Sequence, residues 1–305
     1  MSLAINIAGV KFENPIWAAS GTFGTGEEFL DFVDLDKIGA VVTKTVTLEA
    51  RVGNPAPRIV ETASGMLNSI GLENKGIDHC VKETIPFLRK YRTKIVVSIA
   101  GNGLSDYTEC ARRLSGKNAP DMIEINLSCP NVTHKGAKHA LFAQDGALTG
   151  EIVRAVKRET DIPSITKLTP NVTDITEIAI AAEKAGTDAL ALVNTYFGMA
   201  IDSGTGKPVL GRVTGGLSGP AIKPMALKAV YDVYKKVKVP IIGIGGIMTA
   251  ECAVEFMLAG ARAIQVGTAN FVDPRSTMKI LQGVEAHLGE KGIKDINELT
   301  GKAHG

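Results

Sequence analysis

The sequence predicts an α/β fold, a (β/α)8 TIM barrel with insertions on its C-terminal face, running as a single domain over residues 1–305. Three observations predict it. Eight short apolar or β-branched runs recur along the chain, helical stretches fit between them, and 305 residues suit eight β/α units. A doubly wound sheet of similar composition is the competing arrangement.

In chain order the expected strands are Pro15–Ser20, Ala40–Lys44, Ile95–Ser98, Met122–Leu127, Ser164–Leu168, Ala189–Asn194, Pro240–Gly243 and Ala263–Gly267. Most are apolar throughout rather than alternating, as a parallel sheet covered by helices requires. Helices are expected over Tyr107–Leu114, Gly150–Glu159, Ile175–Ala185, Ala221–Lys236 and Ala250–Ala259. Gly39, Gly186, Pro240 and Gly260 punctuate the entries to four of the strands. Long insertions follow the second strand (Thr45–Lys94), the fourth (Ser128–Gly146) and the sixth (Thr195–Gly219). In a barrel these loops share the C-terminal face, where active sites are built. No linker or shift of composition divides the chain.

Composition narrows the functional classes. A 45% hydrophobic, 22% charged chain has enough apolar residues for a sizeable core and is not globally disordered. With 34 Lys+Arg against 32 Asp+Glu, the net charge of +2 offers no large basic surface for nucleic acid. Uncharged runs reach only about a dozen residues, short of the ~20 that a spanning helix needs, so no membrane span is expected. The start, MSLAINIAGVKF, lacks the pattern of a secretory signal, and a cytoplasmic location is expected. Cys80, Cys110, Cys129 and Cys252 form no C-x-x-C pair, which argues against a disulfide framework, a zinc ribbon or a self-contained iron–sulfur site, and no metal is expected. Three lie in helix-like contexts as small hydrophobes. Cys129 alone lies between a strand and a proline.

The residues at the strand ends carry the chemistry. They are Ser20, Lys44, Ser98, Asn126, Lys167, Asn194, Gly245 and Gly267. Each alone could pair with a neighbouring carboxylate or carbonyl, but their convergence on one face favours a polar ligand at the barrel mouth. Gly243-Ile244-Gly245-Gly246-Ile247 and Gly267-Thr268-Ala269 follow the seventh and eighth strands, where barrels commonly hold a phosphate through backbone N–H groups. Gly215-Gly216-Leu217-Ser218-Gly219 adds a third flexible loop before a helix. Neither a dinucleotide fingerprint nor a P-loop is present. On the loop leaving the fourth strand, Cys129 could remove a proton from a carbon beside a carbonyl. Lys44 could stabilise anionic charge and Lys167 a reduced cofactor ring. His134 and His139 on the same loop leave a thiol–imidazole nucleophile as an alternative.

These motifs resemble those of the class 1 dihydroorotate dehydrogenases, flavoenzymes built on a (β/α)8 barrel. The matching runs are Ala19-Ser20-Gly21, Thr43-Lys44-Thr45, Asn68-Ser69-Ile70-Gly71-Leu72, Ile125-Asn126-Leu127-Ser128-Cys129-Pro130-Asn131 and Lys167-Leu168-Thr169-Pro170-Asn171. They continue through Val193-Asn194-Thr195, Gly215–Gly219, Gly245-Gly246 and Gly267-Thr268, so that the likeness spans about Leu3 to Asp273. The resemblance implies oxidation of (S)-dihydroorotate to orotate in pyrimidine biosynthesis, with Cys129 as the base and FMN, one per chain, taking the hydride. It implies Lys44 between substrate and cofactor, and Asn68, Ser69, Ile70, Gly71, Leu72, Asn126, Asn131, Asn194 and Thr195 around the substrate. For FMN it implies Ser20, Thr45, Ser98, Asn126, Lys167, Val193, Gly219, Gly245, Gly246, Gly267 and Thr268. Relatives often carry an amide where this chain has Ser98, whose reach is shorter.

The Gly-Gly-Leu-Ser-Gly-Pro-Ala-Ile-Lys-Pro run and Gly-Thr-Ala-Asn are similar to the class 1B branch, which passes electrons to NAD+ through a partner. With no such machinery in this chain, the resemblance implies FAD and a [2Fe–2S] cluster on a separate subunit, and a homodimer core joined by two such subunits in a heterotetramer. A class 1A homodimer using fumarate, a dihydropyrimidine dehydrogenase, a tRNA dihydrouridine synthase and a non-enzymatic scaffold are the alternatives. The absence of a basic RNA face weighs against the synthase.

Overall fold

A computed structural model of the chain describes residues 1–116, 118–127 and 142–305. Eight parallel strands close in chain order into a barrel. They are β1 (Ile16–Ala18), β2 (Ala40–Val42), β3 (Lys94–Ile99), β4 (Met122–Asn126), β5 (Ser164–Lys167), β6 (Ala189–Leu192), β7 (Ile241–Ile244) and β8 (Ala261–Val266). Each overlaps its expected run. Ser20, Lys44, Asn194 and Gly267 lie just past the ends of their strands, on the loops of the C-terminal face.

Strand register decides what fills the interior. The aligned sets Trp17/Ala40, Val42/Val96, Ser98/Glu124, Asn126/Lys167 and Ile242/Ala263 fall on the inward side, alternating with outward residues such as Val41, Val97 and Ile123. The outward residues join a second buried cluster with the surrounding helices. The inward set is stratified. Trp17, Ala40, Val42, Val96, Met122 and Ile165 make an apolar lower layer in one cluster with Ile5, Ile7 and Phe12. Those last three belong to an antiparallel hairpin, Ile5–Ile7 with Val10–Phe12, that closes the N-terminal end of the barrel. Above the apolar layer lie Ser98, Glu124, Asn126, Lys167 and Gln265, all buried and all polar.

Helices Leu104–Leu114, Gly146–Glu159, Ile175–Lys184, Lys223–Tyr234 and Ala250–Leu258 occupy the expected stretches. Three start at side-chain caps: Asp145 accepts from the Ala147 and Leu148 N–H groups, Asp174 from Thr176, and Thr249 from Cys252. Lys223–Tyr234 begins later than expected because Pro220–Ile222 forms a 3-10 turn ahead of it. Beyond the expected helices, besides the short helix Ala269–Val272 and several 3-10 turns, the described residues form two longer helical regions. Ile77–Leu88, interrupted by a π turn over Cys80–Thr84, lies inside the first insertion, and Ser276–Lys291 completes the outer layer.

The first and third insertions meet above the barrel. Ile59–Thr62 and Gly65–Asn68 form a hairpin whose second strand pairs with Thr214–Ser218, and Tyr196–Met199 completes a four-stranded antiparallel sheet. Among the described residues no helix is long and apolar enough to cross a membrane.

Candidate active site

A cavity of about 420 Å3 opens at the C-terminal face between the strand ends and the antiparallel sheet. Its size suits a small organic ligand. Of the expected site residues, Ser20, Lys44, Thr45, Asn68, Ser69, Ile70, Gly71, Leu72, Asn126, Lys167, Val193, Asn194, Thr195, Gly219, Gly245, Gly246, Gly267 and Thr268 line it. Cys129 and Asn131 lie outside the described residues. Ser98, expected at the cofactor, is fully buried and is not among the residues lining the cavity; its hydroxyl lies 2.9 Å from Thr45 Oγ1 and donates to Glu124 Oε1 at 3.0 Å. Its inward register places it one layer below Asn126 and Lys167, where its hydroxyl braces Thr45.

At one end the backbone makes a cradle. Gly219, Gly245 and Gly246 all have positive φ, at +91°, +126° and +69°. A Cβ on Gly246 would stand 2.8 Å from Gly219 O and 2.7 Å from Lys223 Cβ, and one on Gly245 would stand 2.8 Å from Ala226 Cβ. Only glycine fits so close to the start of helix Lys223–Tyr234. Thr268 Oγ1 donates to Ser218 Oγ at 2.8 Å across the same end. Close-packed backbone, a helix N-terminus and hydroxyls form a site suited to a phosphate.

The cationic floor lies opposite. Lys167 Nζ donates to Ser20 Oγ at 3.1 Å and faces Glu124 Oε1 at 3.6 Å, with both members of the ion pair buried. Lys44 Nζ has no hydrogen bond or ion pair among the described residues. Burial pushes its pKa below the usual value, Glu73 works to raise it, and Lys167 lowers it further. An ammonium so placed is available to an anionic ligand.

Amides make the third wall. Asn126 Nδ2 donates to Thr45 Oγ1 at 3.3 Å, and Asn194 Nδ2 donates to Asn126 Oδ1 at 3.4 Å. Asn68 Nδ2 donates to Gly216 O at 3.3 Å, tying the wall to the overlying sheet. The loop Ser69–Leu72 is held from behind by Asn54, whose backbone N–H donates to Ile70 O at 2.9 Å and whose Nδ2 donates to Ser69 O at 3.1 Å. Leu72 has a positive φ of 55°, unusual for a branched residue, and Asn74 Nδ2 donates to its carbonyl at 2.7 Å.

Sequence reasoning missed three supporting residues. Asn54 lies inside the first insertion with no local signature. Asn171 belongs to the Lys-Leu-Thr-Pro-Asn motif without an assigned role; its Nδ2 donates to Thr169 Oγ1 and Thr195 O, and its Oδ1 accepts from Phe197 N–H. Glu124 was readable as a charge two residues before Asn126 on an otherwise apolar strand, a spacing that puts both on one face. Of the other cysteines, burial pushes Cys80 and Cys110 up to about 12, as expected of core fillers. Cys252 is half-buried rather than enclosed; burial works to raise its pKa, but hydrogen bonding around Thr249 and the Lys223 charge hold it below the usual thiol value. Among the described residues no three His, Cys, Asp or Glu side chains cluster as metal ligands would.

Known proteins are similar to this chain in sequence and in fold. The family model described as dihydroorotate dehydrogenase matches residues 2–288. The chain belongs to the dihydroorotate dehydrogenase family. It is 52% identical over 304 residues to "Dihydroorotate dehydrogenase B (NAD(+)), catalytic subunit" of Desulforamulus reducens, covering 100% of this chain and 99% of that one. The protein of the same name from Alkaliphilus oremlandii is 52% identical over 301 residues, covering 99% and 98%. A crystal structure of DHODH in complex with ferulenol from Eimeria tenella superposes with a TM-score of 0.82 at 28% identity, over 99% of this chain and 88% of that one. The motif runs that line the cavity from Ser20 to Thr268 all fall within the segment matched by the dihydroorotate dehydrogenase family model.

Proposed function

We propose that this chain is the FMN-dependent catalytic subunit of an NAD-linked dihydroorotate dehydrogenase, oxidising (S)-dihydroorotate to orotate in pyrimidine biosynthesis. The observation that carries it is one cavity with a glycine phosphate cradle at one end and two lysines with an amide wall at the other. The cradle fits FMN: Gly219, Gly245, Gly246, Gly267 and Thr268 would hold its phosphate. Ser20, Thr45, Asn126, Lys167 and Val193 would hold the rest, with Ser98 bracing Thr45 from below. Bound there, FMN supplies a hydride acceptor.

The chain's own groups do the rest. Lys44 and the amides Asn68, Asn126 and Asn194 orient a carboxylated ring, aided by Thr195 and the Ser69–Leu72 loop. Cys129, assigned by resemblance, takes the proton, and Asn131 joins the substrate wall on the same ground. Lys167 offers a fixed positive charge to a cofactor that becomes electron-rich. FAD and a [2Fe–2S] cluster on a separate subunit, a heterotetramer on a homodimer core and a cytoplasmic setting complete the reading.

Anaerobic mixing of the FMN-loaded protein with dihydroorotate and, separately, with dihydrouracil tests it. Dihydroorotate is expected to bleach the flavin and dihydrouracil to leave it oxidised; the reverse overturns the substrate. In Cys129→Ala, FMN stays bound while bleaching slows by roughly 10²–10⁴, the usual scale for a lost general base.

A further inference from the structure

One carboxylate lies beneath the cavity floor, against Lys167 of that floor and against Ser98, which contacts Thr45. Glu124 on β4 is fully buried. Its Oε1 accepts from Ser98 Oγ at 3.0 Å and faces Lys167 Nζ at 3.6 Å, while its Oε2 accepts from Gln265 Nε2 at 3.0 Å. With Lys167 and Ser98 directed at it, Glu124 is an acceptor, so Ser98 commits its single hydroxyl proton there. Thr45 Oγ1, 2.9 Å from Ser98 Oγ, must then be the donor of that pair. With its own proton committed, Thr45 can only accept from Asn126, which turns the amide nitrogen toward it at 3.3 Å. Asn126 Oδ1 is left facing Asn194, whose Nδ2 donates at 3.4 Å. Asn194 Oδ1 is in turn taken by the Thr195 N–H at 2.7 Å, so what Asn194 offers the cavity is an N–H.

We propose that Glu124 is a positioning residue: from below the floor, its carboxylate fixes the direction of the Ser98–Thr45–Asn126–Asn194 chain and anchors the Lys167 ammonium. The donor-facing amide that results suits ligands rich in carbonyl and carboxylate oxygens, such as orotate. A buried acid in an ion pair contributes little certain stability, because its desolvation offsets the attraction. Its effect here is on orientation and charge.

The inference rests on the function proposed above, and the test separates the two. In FMN-loaded protein, orotate affinity is read from the flavin spectrum and the flavin potential from anaerobic equilibration with dyes. A wild-type chain that binds FMN but shows no spectral response to orotate overturns the function before any variant is compared. Ser98→Ala cuts the chain yet leaves the Glu124–Lys167 pair. Orotate affinity is expected to fall about tenfold, the scale of one net hydrogen bond, with the potential unchanged. Glu124→Gln keeps an acceptor for Ser98 but removes the charge beside Lys167. The reduced flavin is expected to be favoured about tenfold, about 30 mV upward for a two-electron couple, with orotate affinity within about threefold. A role in packing alone would leave the potential in place and weaken both variants in parallel. Orotate affinity within about twofold of wild type in Ser98→Ala, or an unmoved potential in Glu124→Gln, overturns the proposal.

Discussion

Lys44 and Lys167 both line the cavity floor but with opposite arrangements. Lys167 has a buried counter-charge in Glu124, whereas Lys44 is kept from full charge stability chiefly by burial. The folded chain therefore releases the Lys44 proton at lower pH than an unfolded lysine does, and two signs follow. Ligand attraction needs the ammonium, so orotate affinity is expected to fall as pH rises through this lowered pKa. A spectral titration across alkaline pH should show that limb in the wild type and a flatter profile in Lys44→Met; identical limbs would assign it to another group. Stability runs the other way, since the unfolded state holds more protons between the two pKa values, and the Lys44 contribution grows with pH. Lys44 itself was legible from its place after an apolar strand. Its imbalance with Lys167 was not, because Glu124 reads in sequence as one charge within a strand and only register turns it inward.

Elements are joined beneath the barrel by charges far from the chemistry. Asp121, just before β4, accepts from the Ile95 N–H of β3 at 2.9 Å, from Arg89 Nη1 at 2.6 Å and from Lys94 Nζ at 3.1 Å. Burial works to raise its pKa, and these bonds outweigh that, holding it below the usual carboxylate value. A depressed carboxylate stabilises the fold above its unfolded pKa, and this is lost as pH falls through the folded value. Asp121→Asn is expected to cost about 2 kcal/mol near neutral pH, with the gap to wild type narrowing in acid; urea unfolding at both pH values checks it. The eight strands were readable because buried parallel strands are continuous apolar runs. Helix Ser276–Lys291 was readable in principle from Ile280, Leu281, Val284 and Leu288, but Gly283 weakens the pattern. That glycine is there for packing: a Cβ would stand 2.5 Å from Ala250 Cβ of the neighbouring helix. The strands over the cavity were not readable, since Gly65–Asn68 and Thr214–Ser218 are glycine-bearing and gain their order from each other.

The molecule as a whole divides its labour between two ends. At the closed end Phe12 stacks on Trp17, ring centroids 4.5 Å apart, with both side chains buried. Phe12→Ala is expected to lower stability by about 3–5 kcal/mol while the folded fraction keeps its FMN affinity. Chemical denaturation and flavin-fluorescence titration together check that separation; a parallel loss of both would mean that the two ends are coupled. The open end carries a different consequence, one of timing. Asn68 binds Gly216 across 148 positions of sequence. During synthesis, a chain that has emerged through β5 already has its first floor groups but nothing to cover them, because the covering strands are completed only at residue 218. The glycine cradle at residues 245–246 and 267 comes later still. The complete cavity therefore requires nearly the whole chain, and a fragment ending before residue 245 is expected to lack the cradle for a phosphate.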